Sequence, residues 1–144
     1  MCGIAGFIDF NKKSTTSNIQ SMIEPLNHRG PDGEGTSLLN SKNAIIGFGH
    51  KRLSIIDLSQ AGKQPMNYSH LHITYNGEIY NYQEIKNELS ALGHHFKGQS
   101  DTEMILHAYA EWGKKAVERF IGMFAIVLFD EKKQEVIFIR DRAG

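Results

Sequence analysis

Apolar residues along the chain fall into two rhythms, short strand-like runs and rows spaced three and four apart. Gly3 to Phe10 is a short apolar run closed by the polar Asn11-Lys12-Lys13, which predicts an opening strand. Ile19, Met22, Ile23 and Leu26 stand at i, i+3, i+4 and i+7 and predict one face of a helix, followed by a loop at His28-Arg29-Gly30-Pro31-Asp32-Gly33. Ala44 to Phe48 and His72 to Tyr75 predict strands, and Ile85, Leu89 and Leu92 predict a second helix stopped by Gly93. Ser100 and Glu103 have capping-box spacing and open a third helix with the buried stripe Ile105, Tyr109 and Trp112. Met123 to Phe129 and Glu135 to Ile139 predict a strand pair across an Asp130-Glu131-Lys132-Lys133 turn. Strands near both ends with helices between them predict a layered α+β architecture, and the pattern leaves the topology open. No repeat or low-complexity linker divides residues 1–144, so one domain is expected. Arg140-Asp141-Arg142-Ala143-Gly144 follows a strand without a closing element, so the domain is expected to continue beyond it.

Composition narrows the function classes. Sixteen basic and sixteen acidic residues cancel, which gives no electrostatic reason to expect a nucleic acid or an anionic membrane as partner. The longest apolar run, Met123 to Phe129, is too short to cross a bilayer, and no basic-then-apolar stretch opens the chain. A cytoplasmic protein is the expectation. The seven histidines, adjacent His94 and His95 among them, show no metal-ligand spacing and read as surface or capping residues, so no metal is expected.

The one cysteine, Cys2, cannot form an intrachain disulfide. A lone cysteine is ordinarily a small buried hydrophobe. Directly after Met1, however, it has a property that an internal cysteine lacks. Removal of Met1 would place a thiol and a free α-amine on one residue, and an α-amine of pKa about 7.7–8.0 can serve as general base near neutrality. Nucleophile and base would then share a residue, with no separate histidine needed. "Met-Cys" alone is a weak signal.

The remainder of the chain strengthens it. Met1-Cys2-Gly3-Ile4-Ala5-Gly6, His28-Arg29-Gly30-Pro31-Asp32-Gly33, His50-Lys51-Arg52-Leu53-Ser54-Ile55-Ile56-Asp57, Gln64-Pro65-Met66, Tyr75-Asn76-Gly77-Glu78-Ile79-Tyr80-Asn81, Ser100-Asp101-Thr102-Glu103, Gly122-Met123-Phe124-Ala125 and Arg140-Asp141-Arg142 occur in this order. Together they closely resemble the glutaminase domain of glutamine-dependent asparagine synthetases, a class II amidotransferase with an N-terminal nucleophile. The resemblance runs from residue 2 to residue 144. It implies a four-layer αββα N-terminal-nucleophile hydrolase sandwich, here incomplete at its C-terminus.

The resemblance also implies roles. Cys2 is the expected nucleophile, forming a γ-glutamyl thioester. The Asn76 amide and the Gly77 backbone N–H are the expected oxyanion hole, donors that need no change of protonation. Read locally, Asn76-Gly77 is instead the strongest short signal for a hairpin turn. Arg52, with its planar fork, is expected on the α-carboxylate of glutamine, or else is a solvated strand-end arginine. Asp101 is expected on the α-ammonium, a role compatible with its favoured place in a helix first turn. Glu78 is a further contact to that end of the substrate. Arg29 either supports the thiolate or braces its turn. Ala61 to Met66 resembles the family's mobile glutamine loop.

No cofactor is expected within these residues. The implied partners are L-glutamine and a C-terminal synthetase domain that uses ATP and magnesium to convert aspartate to asparagine, with a homodimer left open. Some sugar-modifying amidotransferases share the pattern, so the ammonia acceptor stays open too. A scaffold domain of the same fold has no need of Cys2, Arg52, Asn76, Gly77 and Asp101 together. A hydrolase of other amides has no need of the Arg52 and Asp101 pair.

Overall fold

A computed structural model of the chain describes residues 2–53 and 62–143. Met1, the Ser54-Ile55-Ile56-Asp57 part of the Arg52 motif, Ala61 of the glutamine loop and Gly144 lie outside the described residues. The elements in order are β1 (Gly3–Asp9), α1 (Thr16–Ile23), β2 (Gly33–Asn40), β3 (Ile45–Arg52), β4 (Met66–Tyr68), β5 (Leu71–Ile79), α2 (Tyr82–Ala91), α3 (Asp101–Trp112), β6 (Gly122–Asp130) and β7 (Glu135–Arg140). Short 3₁₀ segments follow α1 (Glu24–Arg29) and α3 (Gly113–Arg119).

The strands form two antiparallel sheets, ordered β1-β3-β2 and β4-β5-β6-β7. Helix α1 lies on the first sheet through Ile19 and Ile23, both fully buried. Gly49 of β3 makes this possible, since a side chain there would collide with Ile23 and crowd Ile19. Pro25, which lacks an N–H and disfavours helix in the residue before it, stands two residues beyond Ile23, where the α-helix ends. Leu26 therefore sits in the 3₁₀ segment, and Met22 is 41% exposed, so the predicted stripe contracts to two residues.

On the far side, α2 and α3 cover the second sheet. Leu71, Ile73, Tyr75 and Ile79 of β5 and Phe124, Ile126 and Leu128 of β6 meet Ile85, Leu89, Met104, Ile105, Ala108 and Tyr109 in one cluster. Each large side chain buried this way contributes about 1.5–3 kcal/mol. Between the sheets, Ile46, Phe48 and Phe129 pack with Ile8, Leu39, Val127 and Val136. The layers therefore run helix, sheet, sheet, helix, as the four-layer expectation requires.

Several local expectations change. Gly33 begins strand β2 rather than closing a loop, and Gly33-Glu34-Gly35-Thr36-Ser37 pairs with β3 from Arg52 to Phe48. Helix α3 is buried on nearly every side from Thr102 to Tyr109, not along one stripe. Its cap is only half a capping box. The Ser100 hydroxyl accepts the Thr102 N–H at 3.1 Å, but the Glu103 carboxylate accepts the Lys97 and Gly98 N–H groups, each at 2.8 Å. Asn76-Gly77 is no turn; it lies inside β5, opposite Ala125 and Phe124.

Candidate active site

Antiparallel pairing gathers the named residues at one end of the sandwich. Gly3 stands opposite Lys51, and Thr74 Oγ1 of β5 donates to the Gly49 carbonyl of β3, so the start of β1, the end of β3 and β5 lie together. The start of α3 joins them, because Asp101 accepts the Ile79 N–H at 3.3 Å.

Cys2 sits just before β1, half-buried. Its Sγ accepts the backbone N–H of Leu53 at 3.3 Å and lies 3.7 Å from the Leu53 carbonyl. Arg29 reaches the backbone of the same residue, its Nε donating to the Cys2 carbonyl at 3.0 Å. The His28-Arg29-Gly30-Pro31-Asp32 motif has a physical reason here. A side chain at Gly30 would overlap the Lys51 carbonyl, so glycine lets this segment lie directly on β3. Pro31 then bridges to Arg52, and the Asp32 N–H donates to the Arg52 carbonyl at 3.0 Å. The segment clamps the end of β3 where Arg52 stands.

Arg52 lines a polar cavity of about 150 Å³ with Asp32, Glu34, His50, Lys63 and Gln64. Asn76 lies at the neighbouring end of β5, its Oδ1 buried and without a partner among the described residues. Gly77 has φ +154°, and a side chain there would strike the Met123 carbonyl and the Phe124 backbone. No other residue fits. Glu78 is exposed. Asp101 opens α3 and accepts the Tyr75 hydroxyl at 2.7 Å through the oxygen that also takes the Ile79 N–H. Burial raises its pKa, against the lowering effect of these bonds. Burial, followed by the Asp101 charge, pushes the Tyr75 hydroxyl far up, so Tyr75 stays a donor.

Two linked groups therefore face each other: Arg29, Cys2, Leu53 and Arg52 on one sheet, and Tyr75, Asn76, Gly77 and Asp101 on the other. No hydrogen bond joins Cys2 to Asn76 among the described residues.

Four further residues organise the site. Leu53 acts through its backbone. Tyr75 holds Asp101. Gln64, 7% exposed, accepts the Tyr75 N–H at 2.6 Å and donates to Thr102 Oγ1 at 3.2 Å, continuing the ladder where β4 stops at Met66. This fixes one residue of the expected mobile loop. The fourth is His50, and it corrects the expectation that the histidines are surface or capping residues. His50 is 1% exposed and His107 is 2% exposed. Burial, and after it the Arg52 charge, lowers the His50 pKa to about 4, while a hydrogen bond to the Tyr75 backbone acts in the other direction. Its signal in the sequence was the row Ile46, Phe48, His50, alternate residues of one strand that share a face.

No helix among the described residues is long and apolar enough to cross a membrane. The chain matches the glutamine amidotransferase domain over residues 1–144. It is 39% identical to asparagine synthetase (glutamine-hydrolysing) 3 of Bacillus subtilis strain 168 over 150 residues, covering all of this chain and 24% of that one. The chain thus spans about a quarter of that relative's length. Its fold is similar to that of the allosteric regulatory enzyme of purine biosynthesis, with a TM-score of 0.82 at 20% identity over 98% of this chain and 37% of the other. The same holds for the B. subtilis glutamine phosphoribosylpyrophosphate amidotransferase, with a TM-score of 0.72 at 20% identity over 97% and 36% of the two chains. The chain belongs to the glutamine amidotransferase domain family.

Proposed function

We propose that this domain hydrolyses the side-chain amide of L-glutamine through a Cys2 thioester and passes the ammonia to a synthetase domain of the same polypeptide. The observation that carries the reading is the Leu53 N–H on Cys2 Sγ, one residue beyond Arg52, which lines the polar cavity.

The steps follow from the groups present. With Met1 removed, the α-amine of Cys2 takes the thiol proton and the sulfur attacks the amide carbon of glutamine. The Asn76 amide and the Gly77 N–H stabilise the oxyanion that forms. Collapse breaks the C–N bond, and the α-ammonium returns its proton to the departing ammonia. Water, deprotonated by the same amine, then cleaves the thioester to glutamate and free thiol. Arg52 holds the α-carboxylate and Asp101 the α-ammonium, with Glu78 beside it. Arg29, on the Cys2 carbonyl, keeps the nucleophile in place. The further domain converts aspartate to asparagine and carries the ATP and magnesium chemistry; the setting is cytoplasmic.

The test is covalent labelling of the full-length protein by a glutamine-like electrophile, read by peptide mapping and intact mass. Label on Cys2 of a chain that has lost Met1 supports the reading. Label elsewhere, or full glutaminase activity in a chain that retains Met1, sinks it, because an acylated nitrogen is a planar amide without a basic lone pair.

A further inference from the structure

His50 takes no part in that chemistry, yet it is the third member of an inward row. Ile46 and Phe48 precede it on β3 and pack between the sheets. A leucine would continue the row at no polar cost. Instead the fold buries an imidazole to 1% exposure and leaves its Nε2 without a partner among the described residues. Most buried polar atoms in native proteins have a partner, and an orphan calls for an explanation.

The ring's state defines what kind of partner fits. Burial and the Arg52 charge hold His50 neutral at physiological pH, and the Tyr75 backbone takes its one N–H. A neutral imidazole with one N–H committed has a bare acceptor at the other nitrogen. His50 is among the residues that line the cavity that Arg52 also lines. The missing partner is therefore an N–H donor that enters together with an anion suited to Arg52. On an α-amino acid, the carboxylate and the ammonium are attached to the same carbon.

We propose that His50 is a specificity residue for the amino-acid head of glutamine, its bare Nε2 accepting a hydrogen bond from the α-ammonium while Arg52 holds the α-carboxylate. The inference rests on the glutamine site proposed above. An ammonium has three donors, so His50 and Asp101 serve it together. A positively charged histidine would repel the same group, which gives the neutral state a purpose.

Two substitutions separate this role from a structural one. His50→Asn keeps a polar atom near the ring position bonded to Tyr75 and removes the acceptor from the cavity. His50→Gln reaches the Nε2 position and restores it. In the full-length protein, His50→Asn is expected to raise KM for glutamine about ten- to a hundredfold with kcat little changed, the range for a hydrogen bond to a charged group. His50→Gln should recover most of that loss. Neither should raise KM for glutaramate, which is glutamine without its α-amine. In a Cys2→Ala protein carrying nitrogen-15 histidine, the bare-nitrogen resonance of His50 should move upfield on adding glutamine and stay still with glutaramate. A wild-type KM in His50→Asn, or an unmoved resonance with glutamine, overturns the proposal. Arg52→Ala decides which inference has failed. If it raises KM while His50→Asn does not, only the His50 role is wrong; if it too leaves KM unchanged, the glutamine site itself is misplaced.

Discussion

The two faces of β5 make unlike demands on the same strand. One face presents Leu71, Ile73, Tyr75 and Ile79 to α2 and α3, all of them 3% exposed or less. The polar atom on that face, the Tyr75 hydroxyl, is bonded to Asp101. The alternate residues His72, Thr74 and Asn76 face the first sheet. Thr74 Oγ1 donates to the Gly49 carbonyl at 3.4 Å, and Asn76 Oδ1 is buried without a partner among the described residues. The apolar face stabilises the fold. The polar face leaves the Asn76 oxygen short of a partner among the described residues, a departure from optimal stability of the kind found at functional sites.

Substitutions on the two faces should therefore separate stability from activity. Ile73→Ala is expected to cost about 2–5 kcal/mol of unfolding free energy, the usual range for a buried aliphatic truncated to alanine. At a temperature where the variant remains folded, its kcat and KM for glutamine should match wild type. Denaturant midpoints with parallel kinetics check this, and an intact midpoint would mean the helical cluster is not what holds β5. Asn76→Ala should do the reverse. Turnover should fall by about 2.7–4 kcal/mol of transition-state stabilisation, a hundred- to a thousandfold, while the midpoint holds or rises because an unpaired buried oxygen has gone. Unchanged turnover would remove Asn76 from the oxyanion hole.

How much of this could be read in the sequence follows the same division. Apolar periodicity showed β1, β6, β7 and all three helices, because packing on one face leaves a row of large side chains. It missed β2, whose Gly33-Glu34-Gly35-Thr36-Ser37 stretch carries no apolar row and is a strand through its pairing with β3. It missed β4, three residues held by β5. The Asn76-Gly77 turn signal was overridden by long-range pairing with Ala125 and Phe124. The motif residues that gather at one end of the sandwich were legible from their residue types and order. Leu53 was not, because a backbone N–H has no residue-type signature. Nor was His50, because the predicted strand ended two residues short of it, at Phe48.

His50 also gives the polar face a pH dependence that the apolar face lacks. Its folded pKa is about 4, against an ordinary 6.5. A group with a depressed folded value contributes stability above its unfolded pKa and loses it as pH falls, here between about 6.5 and 4. Asp101, with a raised pKa, works the opposite way, favouring the fold as it protonates. Unfolding free energies at pH 7 and pH 4.5 should fall more for wild type than for His50→Phe, which has no proton to gain. Equal falls in the two proteins would show that other groups carry the acid sensitivity.

The smallest effects expected are those on substrate binding, and they sharpen the comparison because Arg52 and Asp101 differ in what else they hold. Two links from Arg52, to Pro31 and Asp32, run through its backbone, so they survive truncation of the side chain. Arg52→Ala should raise KM for glutamine by the worth of a charge-assisted pair, about 1.5–3 kcal/mol or ten- to a hundredfold. Asp101 is different, because its carboxylate takes both the Tyr75 hydroxyl and the Ile79 N–H. Asp101→Asn keeps an oxygen for those donors but loses the charge, so KM should rise by less than in Arg52→Ala while stability also shifts. Measuring KM and midpoint together for both variants tests the assignment. Should Arg52→Ala lose stability without losing affinity, the arginine braces the end of β3 and a different cation reads the carboxylate. Lys63, which lines the same cavity, would be the next to substitute.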